Sequence, residues 1–334
     1  MPEYAIKLEN ITKKFDNFTA VNDITLKIEK GEIFGLLGPN GAGKSTTINM
    51  ILGLLPATKG RIFVEGKDIS KHATEAKQDI GLVLQETIVE PELTAEQNLR
   101  LFARLYHVPE SEIDKQIDFL LDLAGLTQFK KAYVGTFSGG MKRRLETVKS
   151  LIHNPKILVL DEPTTGLDVQ NRAKVWALIR KINKEQKVTI LMTTQYLEEA
   201  DAICNRIAII DHGKVMALGT PTELKHSIGK GSTLEIASDR QDLEAVADVV
   251  KKVLGQTPSV LGDRVVASIG GSDAVKKMEQ VMNELSSKKI EISGINMHEP
   301  TLDDVFLKLT GTSLRDTASA NVESARSMLM RRGR

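Results

Sequence analysis

The chain has 334 residues, with 45 Lys and Arg against 44 Asp and Glu and a formal net charge of +1. This length suggests about two domains, and the balanced charge gives no reason to expect nucleic-acid binding. The single cysteine, Cys204, excludes an intramolecular disulfide framework. No apolar run approaches about 18 residues and the start lacks an apolar signal core, so we expect neither a membrane span nor secretion.

Short apolar runs separated by helical patterns predict an α/β fold for residues 1–225. Residues 4–11 and 20–28 come first, and their alternating apolar and polar side chains predict paired strands. Four continuous apolar runs follow, with the sequences IFGLLG, IGLVLQ, ILVLDE and VTILMTT. Such runs are typical of a mainly parallel sheet covered by helices. The hairpin pattern RIAIIDHGKVMALG then closes this domain.

A glycine-rich loop, GPNGAGKST at residues 38–46, directly follows the strand IFGLL. It matches the Gly-x-x-x-x-Gly-Lys-Ser/Thr pattern, whose backbone N–H groups curl around phosphate oxygens at a helix N-terminus. In this pattern Lys44 supplies a positive charge to the β- and γ-phosphates, and the Ser45 hydroxyl can ligate Mg²⁺. The alternative, an ordinary glycine turn, is disfavoured because strand, loop and helix patterns occur together. The predicted phosphate-binding residues are Gly38, Asn40, Gly41, Gly43, Lys44, Ser45 and Thr46.

Two adjacent carboxylates end the buried strand in ILVLDEP. Because ligands bind at the carboxyl ends of strands in open α/β sheets, we expect Asp161 and Glu162 to lie beside the phosphate loop. Asp161 is then predicted to hold Mg²⁺, and Glu162 to polarise an attacking water. An acidic pair at a strand end is often only a cap, but the phosphate loop favours the catalytic interpretation.

A second glycine-containing helix start, FSGGMKRRLE, lies between these motifs. Ser138, Gly139 and Gly140 precede a helical pattern, and an exposed helix N-terminus can bind an anion. Taken alone, these three residues more often form a plain N-cap. Since the phosphate loop also precedes a helix, one chain would contain two helix N-termini that can bind phosphate. A twofold dimer explains this, since each subunit's second end would face the partner's nucleotide.

The pattern of buried apolar strands ends near residue 225. The sequence of residues 231–311 predicts a second domain, of the α+β class. Strands and helices are predicted in the order β-α-β-β-α-β, with SVLG as the weakest strand. This order is typical of the split βαβ, or ferredoxin-like, arrangement. Residues 312–334 are rich in Ser and Ala and predict a disordered tail, with a membrane-touching helix as the alternative.

The ordered set GPNGAGKST, Gln85 in LVLQE, SGG, ILVLDEP and TTGLD resembles the ATP-binding subunit of an ABC transporter. The resemblance implies a P-loop ATPase domain with an antiparallel β subdomain and a helical subdomain, which binds ATP and Mg²⁺. It implies that Ser138, Gly139 and Gly140 complete the partner's ATP site in a homodimer, and that Asp168 lies at the dimer seam.

The resemblance also implies roles for two other side chains. Gln85 is expected to contact the nucleotide and Mg²⁺ and to link them to the membrane subunit. Phe15, in TKKFDN, stands where the family stacks an aromatic ring on adenine. An ordinary strand-end aromatic is the alternative interpretation of Phe15.

The sequence departs from the usual ABC transporter motifs at two places, and these departures indicate a particular subfamily. The signature runs from Phe137 to Met141 instead of beginning with leucine and ending in glutamine, and Gln195 replaces the usual switch histidine. Both departures, with TTQYLEEAD and EPTLDDVFLKLTG, are similar to the daunorubicin-resistance type of ABC exporter subunit. This similarity extends to about Gly311 and implies export of drugs, antibiotics or lipids.

The switch position gives Gln195 an implied catalytic role at the γ-phosphate, together with Glu162 and Lys44. A glutamine amide can donate a hydrogen bond there, but it cannot carry a positive charge or shuttle a proton. The alternative is that Gln195 only hydrogen-bonds the turn before the helix predicted over residues 197–204.

Three functions fit these features. The leading one is the ATPase of an exporter, in which ATP closes two copies head to tail and moves separate permease subunits at the cytoplasmic face of the membrane. The second is the ATPase of an importer whose C-terminal domain senses substrate, and the third is an ATP-driven regulator without a membrane partner. The loop after Gln85 bears on the choice. Its Ile88 and Val89 form either a permease-docking patch or part of a loop folded over the core.

Overall fold

The computed structural model describes residues 4–228, 231–270 and 273–310. In these ranges the chain forms two compact units, one ending at Leu218 and the other beginning at Gly219. No helix of the described ranges is both long enough and apolar enough to cross a lipid bilayer. The tail predicted over residues 312–334 lies outside the described residues.

Strands and helices alternate along most of the first unit. Its strands are β1 (Tyr4–Phe15), β2 (Phe18–Glu29), β3 (Ile33–Leu37), β4 (Lys59–Val64), β5 (Lys67–Asp68), β6 (Ile80–Val83), β7 (Ile157–Asp161), β8 (Thr189–Thr194), β9 (Arg206–Asp211) and β10 (Lys214–Gly219). Its helices are α1 (Lys44–Ile51), α2 (Ala73–Gln78), α3 (Ala95–Leu105), α4 (Glu110–Leu123), α5 (Gly139–Lys149), α6 (Val169–Gln186) and α7 (Leu197–Ile203).

A six-stranded sheet forms the centre of this unit, in the order β10-β9-β3-β8-β7-β6. The pairings β9–β3, β3–β8, β8–β7 and β7–β6 are all parallel. Every residue of β3 and β8 is buried, which explains why both strands read as continuous apolar runs. The predicted mainly parallel sheet is confirmed, and the carboxyl ends of β3, β7 and β8 meet at one edge of it.

Two further parts of the first unit match the implied subdomains. Strands β2, β1, β4 and β5 form a separate antiparallel sheet in that order. Helices α3 and α4 form a helical part, in which Thr94 and Gln97 make a capping box at the start of α3. Helix α4 buries Ile113, Ile117 and Leu120 along one face. The antiparallel β subdomain and the helical subdomain are therefore confirmed.

The second unit has the predicted order of strands and helices. It contains α8 (Pro221–Ser227), β11 (Ser232–Ala237), α9 (Leu243–Leu254), β12 (Ser259–Leu261), β13 (Arg264–Ile269), α10 (Ala274–Ser287), β14 (Gly294–His298) and α11 (Leu302–Thr310). Its sheet is antiparallel, in the order β12-β13-β11-β14. Strand β13 thus separates β11 from β12, as the split βαβ arrangement requires. Helices α9 and α10 pack on this sheet around Ile236, Val250 and Val281, and the ferredoxin-like prediction is confirmed.

Helix α8 belongs to the second unit, although the sequence places the end of the first domain near residue 225. It packs against α11 of the same unit, and Lys308 Nζ approaches the Ile228 carbonyl at 3.4 Å. A capping box between Thr220 and Glu223 starts the helix directly after Gly219. The pattern of so short a helix does not indicate which unit it packs on, because only Leu224 is fully buried in it.

A cluster of titratable groups joins β11, β14 and α11. His298 Nε2 lies 3.6 Å from Glu235 Oε1, and His298 Nδ1 lies 3.8 Å from Asp304 Oδ2. His298 Nδ1 also donates to the Glu299 carbonyl at 2.8 Å. Burial lowers the pKa of His298, but that hydrogen bond and the charges of Asp304 and Glu235 outweigh burial and leave the pKa raised. Protonated His298 therefore stabilises the cluster.

We expect the second unit to lose stability as the pH rises through the raised pKa of His298. The folded state holds the proton more tightly than the unfolded chain, so the stabilisation is complete below the unfolded pKa of about 6.5 and is lost above the folded pKa. The loss should be a few tenths to about 1 kcal/mol, because the cluster is partly exposed. Urea unfolding of His298→Gln at about pH 5.5 and about pH 8.5 should show a smaller pH dependence than the native protein. His226→Gln, on the exposed side of α8, is the control, and an equal pH dependence in native and His298→Gln proteins would contradict the prediction.

Candidate functional site

The loop between β3 and α1 approaches other backbone so closely that two of its positions have no room for a side chain. A Cβ atom at Gly38 would lie 2.2 Å from the Ile210 carbonyl oxygen, and one at Gly43 would lie 2.4 Å from the Ala20 carbonyl oxygen. Gly43 also has a φ of +102°, which favours glycine. The glycines of the predicted phosphate loop are therefore required by its shape.

Lys44 begins α1 and turns its side chain back over this loop. Its Nζ donates to the Gly38 carbonyl at 2.7 Å and to the Pro39 carbonyl at 3.0 Å. Burial lowers the pKa of Lys44, while the nearby charges of Glu162 and Asp161 raise it. The ammonium is thus held at the mouth of the loop, close to both carboxylates, where it can meet a phosphate group.

Asp161 and Glu162 stand at the carboxyl end of β7 and are fixed through the neighbouring strand. The Thr193 hydroxyl of β8 donates to Asp161 Oδ1 and accepts from the Glu162 backbone N–H at 3.0 Å. Glu162 has a φ of +47°, an unfavourable conformation for a residue with a Cβ. Its Oε2 accepts from Thr165 Oγ1 at 3.0 Å and from Gln85 Nε2 at 3.4 Å. The Glu162 carboxylate is therefore buried, oriented and in contact with the loop after β6.

Gln195 follows β8 directly, at the same edge of the sheet. Its side chain is half-buried and lines the cleft above the phosphate loop. The turn into α7 is tied by another residue, since the Tyr196 N–H donates to Thr194 Oγ1 at 2.9 Å. The Gln195 amide therefore faces the cleft, where a bound group can accept its hydrogen bond.

One cleft of about 480 Å³ brings most of the predicted site residues together. It is lined by Phe18, Ala20, Asn40, Gly41, Gly43, Lys44, Ser45, Thr46, Gln85, Asp161, Glu162 and Gln195. Gly38 lies beside it and contributes the carbonyl that holds Lys44. Five separate stretches of the chain, at residues 18–20, 40–46, 85, 161–162 and 195, thus line one cleft at the edge of the central sheet.

Phe18, rather than Phe15, is the aromatic residue in the cleft wall. The two phenylalanines form the last pair of β1 and β2, on either side of the connecting turn. Phe18 is 61% exposed, whereas Phe15 carries the Lys13 ammonium 5.0 Å from its ring centre. The sequence TKKFDNFTA contains both phenylalanines. The turn between β1 and β2 places Phe18, and not Phe15, beside the cleft.

Ser138, Gly139 and Gly140 lie away from this cleft, at the start of α5. Ser138 is the N-cap, and its Oγ accepts from the Met141 N–H at 3.3 Å. A Cβ atom at Gly140 would lie 2.3 Å from Asn171 Oδ1, so α5 approaches the start of α6 closely here. None of the three residues lines the cleft of its own chain.

Helix α5 also carries three buried charged residues that sequence reasoning missed. Arg143 donates to the carbonyls of Leu84 and Gln85, and Glu146 Oε1 accepts from the Ile88 N–H at 2.8 Å. Lys149 Nζ donates to the Ile88 carbonyl. These side chains fix the loop that carries Gln85 to the helix that begins with Ser138. Their spacing of three residues along one helix face is the signal that could have revealed them.

This fold and this cleft define a P-loop ATPase. The family model for ABC transporters matches residues 21–165, and the model for the C-terminal domain of DrrA1-3-like ATP-binding proteins matches residues 219–310. Daunorubicin resistance ATP-binding protein DrrA2 of Streptomyces coeruleorubidus is 37% identical over 95% of this chain and 98% of that protein. The chain belongs to the ATP-binding subunits of ABC transporters, and it resembles the daunorubicin-resistance type along nearly its whole length.

Other relatives and solved structures agree with this assignment. Linearmycin resistance ATP-binding protein LnrL of Bacillus subtilis is 37% identical over 93% of this chain and 100% of that protein. The structure of cbiO1 from Clostridium perfringens, part of an ABC transporter complex, has a TM-score of 0.64 and 30% identity over 67% of this chain and 91% of its own. The ATP-binding cassette MJ0796, solved as a dimer bound to ADP and Pi, has a TM-score of 0.57 and 29% identity over 64% and 98%.

Proposed function

We propose that this ATPase powers an exporter of drugs, antibiotics or lipids. The observation that carries the proposal is the match over both domains to resistance proteins. The chain has a cleft for ATP at the edge of its central sheet and a C-terminal domain of the DrrA-like kind. The export path itself belongs to separate permease subunits, which hold the transported compound.

Each of the main cleft residues has a separate role in ATP hydrolysis. Lys44 holds the β- and γ-phosphates, and the buried Glu162 carboxylate orients and polarises the attacking water. Gln195 donates a hydrogen bond to the γ-phosphate as negative charge develops there. In the closed site, an aromatic ring stacks on adenine, and the position of Phe18 favours it over Phe15 for this role.

The oxygen donors of the cleft fit a magnesium ion. Ser45, Gln85 and Asp161 offer a hydroxyl, an amide oxygen and a carboxylate in one cleft, and Mg²⁺ prefers oxygen ligands of this kind. When bound, Mg²⁺ neutralises charge on the β- and γ-phosphates. Thr193 orients the Asp161 carboxylate through its hydroxyl and leaves the second carboxylate oxygen available.

The helix start at Ser138 serves the nucleotide of a second copy. It presents a helix N-terminus, but it does not line the cleft of its own chain. The solved dimer of MJ0796 with ADP and Pi is a relative in which two cassettes associate. A head-to-tail homodimer gives Ser138, Gly139 and Gly140 a phosphate to bind and places Asp168 at the seam.

The loop after Gln85 is the proposed contact with the permease. Leu84 and Ile88 are 40% and 50% exposed, and Leu105 on nearby α3 is 63% exposed. Arg143 of α5 donates to the carbonyls of Leu84 and Gln85. These hydrogen bonds connect the loop to the helix that starts after Ser138. Docking there places the chain at the cytoplasmic face of the membrane, with residues 231–311 as a regulatory or dimer-stabilising domain.

Mixing two inactive variants tests the head-to-tail dimer. Lys44→Ala breaks the variant's own cleft, and Ser138→Arg blocks the site of its partner, so each variant alone should be nearly inactive. A heterodimer of the two contains one intact site, and equal mixing should restore about a quarter of native ATPase activity. The control mixes Lys44→Ala with Asp161→Asn, which leaves no intact cleft in any pairing and should recover nothing. Absence of recovery from heterodimers that demonstrably form would contradict the proposed arrangement.

A further inference from the structure

The carboxyl group of Glu199 is fully buried in the first turn of α7. Its Oε1 accepts from Thr164 Oγ1 at 3.0 Å and from Trp176 Nε1 at 2.8 Å. Burial raises the pKa of this carboxyl and outweighs the hydrogen bonds from Thr194, Trp176 and Thr164, which lower it. One buried carboxyl thus receives hydrogen bonds from several separate parts of the chain.

The donors to Glu199 belong to the two sides of the cleft. Thr164 lies two residues after Glu162, in the loop that leads to Asp168. Thr194 ends β8 and directly precedes Gln195. The side chain of Glu199 therefore lies between the segment that holds the proposed water-orienting carboxylate and the segment that holds the proposed switch glutamine.

Two buried atoms near this junction have no hydrogen-bond partner among the described residues. They are Oε2 of Glu199 and Nε of Arg172, which lies in the first turns of α6. The Arg172 guanidinium lies over the Tyr196 ring, 5.1 Å from its centre, and its charge is close enough to lower the pKa of Glu199. Buried polar groups without partners are rare because they are costly. An unpartnered donor atom on α6 and an unpartnered acceptor atom on α7 point to a second arrangement in which they meet.

We propose that Glu199 is a positioning residue that sets Gln195 relative to Glu162, and that Arg172 pairs with its free oxygen when ATP closes the dimer. This inference rests on the proposed function, because the closure is the head-to-tail one described above. Asp168, the residue implied at the seam, is the N-cap of α6, and Val169 beside it is 75% exposed. A partner that presses on this end moves the first turns of α6, which carry Arg172, toward α7. Closure is thereby transmitted to the turn that carries Gln195.

The first test replaces Glu199 with glutamine. The amide oxygen can still accept from Trp176 and Thr164, but the negative charge that attracts Arg172 is gone. We expect kcat to fall roughly 3- to 30-fold, with ATP affinity changed less than about twofold, because coupling through a neighbouring residue is of this size. Glu198→Gln, on the exposed side of the same helix, is the matched control and should retain the native rate. A native kcat in folded Glu199→Gln would overturn the inference.

A double-mutant cycle separates this role from a structural one. Arg172→Gln and Glu199→Gln are measured singly and together, once for turnover and once for unfolding of the nucleotide-free protein. If the pair forms only on closure, the effects on turnover should be non-additive, with the double variant no slower than the slower single variant. The effects on unfolding should be closer to additive, because in the open state the two groups interact only through their charges and form no hydrogen bond. Additive effects on turnover, or equal non-additivity in unfolding, would each overturn the proposed pairing.

Trp176 reports the movement directly, since it is the only tryptophan in the sequence. Its indole N–H donates to Glu199, so a rearrangement between α6 and α7 should change its fluorescence. We expect ATP with Mg²⁺ to change the emission of Glu162→Gln, in which closure persists, and Arg172→Gln in that background to reduce the change. Unchanged emission in a dimer shown by size-exclusion chromatography to have closed would overturn the inference. Failure of Glu162→Gln to dimerise with ATP would instead count against the proposed function, so the two failures are distinguishable.

Discussion

Glu162→Gln should bind ATP with native affinity and hydrolyse it roughly 10²- to 10⁴-fold more slowly than the native protein, the usual contribution of a general base. Glutamine has the same shape as glutamate and can still accept from Thr165 Oγ1, so the loop after β7 should keep its conformation. Its neutral amide cannot polarise the attacking water. Because ATP stays bound, the variant should also accumulate as an ATP-dependent dimer. Single-turnover ATPase assays and size-exclusion chromatography measure the two effects.

The matched control for this variant is Glu185→Gln at the exposed end of α6. It makes the same chemical change far from the cleft and should hydrolyse ATP at the native rate. Native turnover in Glu162→Gln would remove this carboxylate from the mechanism. A loss of ATP affinity would show instead that it contributes to binding.

The central sheet could be predicted because burial on both faces leaves a clear pattern. Strands β3, β7 and β8 each contain a continuous apolar run, and residues of the cleft follow shortly after each run. The split βαβ unit was predictable for a different reason, since its helices α9 and α10 have one apolar face each. The end of the first unit was harder to predict, because α8 is only two turns long and its packing on α11 leaves no periodic signal.

Within the cleft, the residues of the glycine loop were predictable because close backbone approach restricts their identity. The adenine-side aromatic was not, because Phe15 and Phe18 are equally apolar and only the turn between β1 and β2 distinguishes them. The grip of α5 on the Gln85 loop was also missed. Arg143 donates to the carbonyl of Leu84, 59 residues away along the chain. The spacing of the charged residues marks one face of α5, but it does not indicate which distant segment that face contacts.

Glu199 is a second residue whose contacts could not be predicted from the sequence. In TTQYLEEAD its two glutamates are indistinguishable by type, yet Glu198 is exposed and Glu199 is fully buried. The difference comes from helical geometry, which directs Glu199 toward Trp176 on α6 and Thr164 after β7. A buried carboxyl that joins these elements is visible only once the fold has brought them together.

Gln195→Ala should lower kcat by roughly 10²- to 10³-fold, the usual cost of removing one preorganised donor from developing phosphate charge. ATP affinity should change little, because the donor matters most as charge develops on the γ-phosphate. The fold should tolerate the change, since Thr194 and not Gln195 ties the turn before α7. The free energy of unfolding should therefore change by less than about 1 kcal/mol, the value of a typical hydrogen bond.

Gln195→His distinguishes a hydrogen-bond donor from any other contribution of this side chain. The imidazole keeps a donor, so we expect this variant to remain active where the alanine variant is not. It also introduces a group that titrates at about pH 6.5, which a glutamine cannot do. The pH dependence of kcat should acquire that additional titration in Gln195→His alone. If folded Gln195→Ala hydrolyses ATP at the native rate, the amide does not act on the γ-phosphate, and the switch role must lie with another residue of the cleft.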